Sequence, residues 1–198
     1  MENKTTLEDI LDRLRSAQKE LEQELDIVLA QNREKFHYNL ERGKVVFEKG
    51  IRKLQLQKRT RLWRYLLRAP IAHALTAPVI YSVIFPLAIL DITVTAYQHI
   101  CFRAYKIPRV RRADYMLIDR HHLAYLNGIE KLNCMYCSYA NGLIEYVREI
   151  AARTEQFWCP IKHAQRTPDP HARTDNFYYY GDAEAWHAYH EKLRQEWS

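Results

Sequence analysis

Glycine is scarce in this chain, with 5 in 198 residues. The loops that cradle phosphates are missing with it, since neither GxGxxG nor GxxxxGK[ST] occurs. The GxSxG nucleophile elbow is also absent, so the motif-bearing nucleotide-binding and hydrolase frameworks are not in play. The 4 cysteines are too few for a disulfide-dense secreted scaffold. Residues 1–28 mix acids with bases and contain no apolar core of a secretory signal, so the amino terminus is expected to stay in the compartment where it is made.

Charge is missing from one place in particular. Residues 69–90, APIAHALTAPVIYSVIFPLAIL, form a stretch of 22 without Asp, Glu, Lys or Arg. Asp91 follows, and then ITVTAYQHICF. A membrane-spanning helix needs about 20 mainly apolar residues, so the run is long enough. Its flanks, RTRLWRYLLR before and FRAYKIPRVRR after, are both basic. Positive charge marks the cytoplasmic side of a membrane, and positive charge at both ends favours a re-entrant or in-plane hairpin bent near Pro86 over a simple span. Trp63, Tyr65, Tyr97 and Tyr105 stand near the ends, as in an interfacial aromatic belt. Asp91 is costly in lipid unless it faces protein or water.

The net charge of +6 is concentrated just before the apolar run, where residues 44–68 hold nine Lys or Arg and one acid, Glu48. An anionic membrane surface suits this distribution better than nucleic acid, because the bases are not set among base-stacking aromatics.

The composition and patterning predict an all-α protein in three parts. Residues 1–68 read as a charged amphipathic arm of one or two long helices, since Leu7, Ile10, Leu11, Leu14, Leu21, Leu25, Ile27, Val28 and Leu29 recur at helical spacing. Thr6 is the candidate N-cap, with Asp9 three residues on, and a hinge is expected between Gly43 and Gly50. The heptad match weakens after Leu29, and a protein partner on this helix is expected. Residues 69–102 are the membrane-associated segment. Residues 103–198 read as a compact helical domain in which Asp119 caps one helix and Asn141–Gly142 separates it from the next. NFYYYG offers an extended edge, and Asp182 starts a last short helix.

Chemistry is concentrated in that third part. Cys134, Cys137, Cys159 and His163 are spaced C-x2-C-x21-C-x3-H. Two thiolates from one tight turn and a thiolate with an imidazole from another can close a tetrahedron around zinc. Iron, including an iron-sulfur cluster, takes similar ligands, and a reversible dithiol is a further use of the CxxC, supported by a helix expected to start after Cys137. A weaker set is Asp119, His121 and His122, although adjacent helical residues diverge by about 100°. His73 and His99, brought together in a hairpin, would provide a bis-imidazole haem site. Cys101 reads as a small buried residue or an acylation point.

The expected function is a membrane-associated, zinc-binding accessory or interaction protein on the cytoplasmic face, its metal site structural and not catalytic. The alternative is a membrane-bound redox enzyme or electron carrier with a Cys3His iron, iron-sulfur or dithiol centre.

Overall fold

The computed structural model describes residues 2–41, 44–48, 50–165 and 167–195. The fold is mostly helical, as the patterning predicts. The chain separates into two compact units, Met1–Arg59 with His122–Tyr125, and Thr60–His121 with Leu126–Ser198.

The first unit is built on α1 (Glu2–Lys35). At 1.5 Å per residue this helix is about 51 Å long. It starts ahead of Thr6, whose side chain lies outside those described, so Thr6 is a helix-interior residue and not the cap. The helix ends where His37 adopts a left-handed φ of 54°. The expected helical continuation is then replaced by an antiparallel hairpin, β1 (Tyr38–Glu41) with β2 (Lys44–Phe47), in the register Tyr38↔Phe47 to Glu41↔Lys44. The strand-favouring residues are Tyr38 in β1 and Val45, Val46 and Phe47 in β2, and the Tyr38 and Phe47 rings meet at 6.0 Å between centroids. Gly43, one side of the expected hinge, lies outside the described residues; at the other, Gly50 has φ 94° and leads into α2 (Ile51–Gln57). The Ala124 amide donates to Gln55 Oε1 at 3.1 Å.

The second unit opens with α3 (Leu62–Arg68), α4 (Ile71–Ser82) and α5 (Ile84–Tyr97), and α5 runs on through a π turn at Gln98–Phe102. No hairpin bend occurs at Pro86. Val83 stays in the right-handed helical region, and Ile71–Phe102 is one continuous helical run. At 1.5 Å per residue its 32 residues extend about 48 Å.

The segment 103–127 leads to α6 (Gly128–Trp158), the long helix of this unit. Its cap is Asn127, not Asp119: Asn127 Oδ1 accepts from the amides of Ile129 and Glu130, and Glu130 Oε2 accepts from the Asn127 amide. The predicted break at Asn141–Gly142 is absent, and the two expected helices are one. The reason is steric: Gly142 is buried where the segment 115–116 crosses α6, so glycine answers a close approach and not a turn. Beyond α6 a single parallel bridge joins Ile161 to Tyr178, a short form of the expected extended edge. The last helix is α7 (Ala183–Gln195), where Asp182 accepts from the Ala185 amide at 2.9 Å.

The core lies between α5, the π turn and α6. Phe102, Ile107, Val110, Leu143, Tyr146 and Ile150 are buried together, with Leu87, Val94 and Tyr97 packed against them. Contacts from Ile80 with Tyr136, Asp91 with Tyr139 and Gln98 with Tyr146 advance along both helices together, so α5 and α6 run in the same direction.

Candidate functional site

The four residues of the proposed thiol centre are not brought together. Cys134 and Cys137 lie one turn apart inside α6, which begins at Gly128 and not after the CxxC. Cys159 caps the other end of the same helix, with His163 exposed just beyond it. A rise of 1.5 Å per residue puts Cys137 and Cys159 about 33 Å apart, whereas ligands of one zinc ion bind at about 2.3 Å or less. All four cysteines are free. Among the described residues no three His, Cys, Asp or Glu side chains are placed to share an ion, Asp119, His121 and His122 included. The haem arrangement fails for the same reason: His73 and His99 sit on one continuous helical run, about 39 Å apart. Cys101 is half-buried in the π turn.

What the structure does assemble is an apolar face. The run Ile71–Phe102 has a mean hydropathy of 2.0 over its best window, and none of that window is buried. Ile71 is 79% exposed, Leu75 73%, Phe85 70%, Ile92 70% and Ile100 70%. These positions recur at helical spacing on the side away from α6. An exposed apolar surface of this extent is larger than soluble monomers ordinarily leave uncovered.

The side facing α6 combines the core contacts of Leu87, Val94 and Tyr97 with polar groups whose partners lie within the protein. The Tyr81 hydroxyl donates to Asn133 Oδ1. Tyr136 donates to the Ile80 carbonyl at 2.7 Å, and the Tyr97 hydroxyl meets Thr154 Oγ1 at 3.0 Å. Gln98 donates through Nε2 to the Tyr146 hydroxyl and accepts the Val110 amide at 3.1 Å. Asp91, the acid within the run, belongs to this side. Its side chain is 14% exposed, and it receives Arg112 Nη2 at 2.6 Å and the Tyr139 hydroxyl at 3.0 Å. The cost of a carboxylate in an apolar helix is therefore met by protein partners while the outer face stays apolar. Hydrogen bonding to Asp91 in turn holds the Arg112 guanidinium above its usual range, outweighing burial. The sequence did carry a sign of this ladder, because Tyr136, Tyr139 and Tyr146 recur at helical spacing on one face of α6.

Both ends of the face are basic. Arg61, Arg64 and Arg68 precede it on exposed positions, and Trp63 and Leu67 of α3 project to solvent beside them. Arg103, Lys106, Arg109, Arg111 and Arg112 follow it, all exposed.

Two further features lie apart from this face. On α1 the side chains of Leu14, Leu21, Leu25 and Val28 are exposed along one stripe. At the far end of α6, Glu149 Oε1 receives Arg173 Nη2 at 2.6 Å and Arg153 Nε at 2.8 Å. Burial pushes the Glu149 carboxyl up, but these hydrogen bonds and charges together hold it below the ordinary range. No known protein family, curated protein or solved structure gives a significant match to this chain.

Proposed function

We propose that this chain is a membrane-attached interaction protein that seats the outer face of Ile71–Phe102 in the plane of an anionic, cytoplasmic membrane surface and presents α1 to a partner. The observation that carries it is the division of that helix into an apolar side left exposed among the described residues and a side packed on α6, whose polar groups are met by α6 and Arg112. In-plane seating is favoured over crossing by the company α5 keeps. α6 packs along it and carries Arg148 and Arg153, and each Arg taken to a bilayer centre costs about 2.5–3.5 kcal/mol. Basic residues at both ends also suit one face of a membrane.

The partner we assign to α1 is a second copy of the chain. Leu7, Leu14, Leu21 and Val28 fall at every seventh residue, with Leu11, Gln18, Leu25 and Asn32 between them, a four-heptad seam. Polar residues in the second set are the usual device for fixing register and strand number.

The anchor is tested by flotation with phosphatidylcholine vesicles in high salt, which removes the electrostatic part of binding. Leu75→Gln, Ile89→Gln and Ile92→Gln combined remove three exposed anchors. Burying such a side chain contributes about 1.5–3 kcal/mol, and at partial depth about 1 kcal/mol each, so the triple variant is expected to lose roughly a hundredfold in partitioning. Wild-type binding that vanishes in high salt, or a triple variant that floats as well as wild type, refutes the apolar anchor.

A further inference from the structure

The basic end of the apolar face carries a pair of adjoining shallow cavities, wide open to solvent, that share one residue, His99. One, of about 520 Å³, is lined by Asp91, Ile92, Thr95, Ala96, His99 and Arg112. The other, of about 380 Å³, is lined by Gln98, His99, Arg109, Val110 and Arg111. From these we infer that His99, Arg109 and Arg111 form a headgroup site for an anionic phospholipid, whose acyl chains would lie along Ile92 and Ala96. The inference rests on the membrane attachment proposed above and names the lipid class that the attachment selects.

The local backbone explains why two guanidiniums stand at this rim. Val110 is buried against Phe102 and Tyr146, and its amide is held by Gln98 Oε1. Alternation along the extended chain then turns Arg109 and Arg111 outward on either side of it, and both are exposed. Neither is consumed by a strong internal pair. Arg109 has no ion pair among the described residues, and Arg111 reaches Asp114 only at 3.9 Å. Asp91, the acid lining the larger cavity, is already engaged by Arg112 and Tyr139 and so does not repel an incoming anion as a free carboxylate would. On His99, Nδ1 lies 2.7 Å from the Thr95 carbonyl, which fixes the ring while Nε2 has no partner among the described residues. Guanidinium forks match phosphate oxygens in pairs, and the imidazole, whose Nδ1–H is spent on the Thr95 carbonyl, adds a third donor at Nε2 only in its doubly protonated form. A free phosphate would satisfy these donors. It would leave the apolar wall of Ile92 and Ala96 unused, and that wall is continuous with the exposed Ile100 and Ile89 on the outer face.

The test compares flotation with phosphatidylcholine vesicles, with and without phosphatidylglycerol. The preference for the anionic vesicles is the quantity read. Arg109→Gln with Arg111→Gln is expected to lower it about tenfold, and His99→Gln a further few-fold, while binding to neutral vesicles is unchanged. Arg61→Gln with Arg64→Gln removes the same charge from the opposite flank and is expected to lower it by no more than about threefold. Equal losses in the two arginine pairs would show diffuse attraction and overturn the site. Inorganic phosphate that displaces the protein from anionic but not neutral vesicles at matched ionic strength would overturn the lipid assignment in favour of a soluble phosphate. Wild-type protein that binds neither vesicle would overturn the membrane attachment and the site together, an outcome distinct from intact neutral binding with an unchanged preference, which overturns the site alone.

Discussion

Replacing Gly142 by alanine separates two physical effects of opposite sign. Inside a helix the substitution gains about 1 kcal/mol in intrinsic propensity. At this position the new Cβ would stand 2.5 Å from the Tyr115 carbonyl oxygen and 3.2 Å from Met116 Sδ. Contacts shorter than 3.0 Å do not occur at real Cβ atoms, so the segment 115–116 would have to move. It is poorly placed to do so. The Tyr115 and Met116 amides both bond to the Arg112 carbonyl, Arg112 is held by Asp91, and the Tyr115 ring rests against Tyr146 at 6.3 Å. Overpacking of this kind costs about 1–3 kcal/mol and here the blocking atom is backbone, so the upper half of that range applies and the net effect is a loss of about 1–2 kcal/mol. For a chain of this size that lowers the melting temperature by roughly 2–8 °C. The assay is thermal unfolding of the vesicle-bound protein followed by circular dichroism. Gly128→Ala is the control, because nothing lies within 4 Å of a Cβ there and only the propensity gain remains. A Gly142→Ala protein that melts at or above the wild-type temperature would mean that residues 115–116 do not rest on α6, and the seating of Arg112 beside Asp91 would lose its support.

Two other expectations follow from the charge network and from α1. The folded-state pKa of Glu149 lies below the ordinary 4.5, so its contribution is fully present above that value and is lost as pH falls through it towards the folded pKa. Glu149→Gln is expected to cost about 1–3 kcal/mol at neutral pH and to flatten the acid limb of the stability curve, read by urea unfolding at stepped pH; an unchanged acid limb would refute it. For α1, sedimentation of the detergent-solubilised chain is expected to show a dimer that Leu14→Asp with Leu21→Asp converts to monomer, and a wild-type monomer at all concentrations would remove the coiled coil.

Much of the fold is legible because helical periodicity and apolar run length are local quantities. α1, the uncharged run and the Asp182 cap all come from residues within a few positions of one another. The hairpin at residues 38–47 escapes because each strand is only 4 residues long, too short for alternation to outweigh the charged, helix-forming sequence on either side. Gly142 escapes for a different reason: the element that requires it, the segment 115–116, is brought there by the fold and not by neighbouring sequence. The thiol spacing is open to two geometries for a related reason. A separation of 21 residues between Cys137 and Cys159 in sequence brings two ends together if the chain turns, and holds them about 33 Å apart if it is helical, and nothing in the ligand residues decides between the two.

Asp91 shows how one long-range contact changes a functional argument. Within the sequence it counts against insertion, because a carboxylate among Leu, Ile and Val has no local partner at helical spacing except Thr95. The residue that meets its charge, Arg112, lies beyond the π turn in a segment whose path is fixed by Gln98, Val110 and Tyr146. Once that segment folds back, the polar groups of the helix are met within the protein and its outer side stays apolar and exposed. The same fold-back carries Arg109 and Arg111 to the rim of the apolar face. Satisfying the part-buried Asp91 and placing the cations that would meet a lipid headgroup are thus consequences of a single chain reversal, so a substitution that frees residues 103–112 from α5 should weaken both at once.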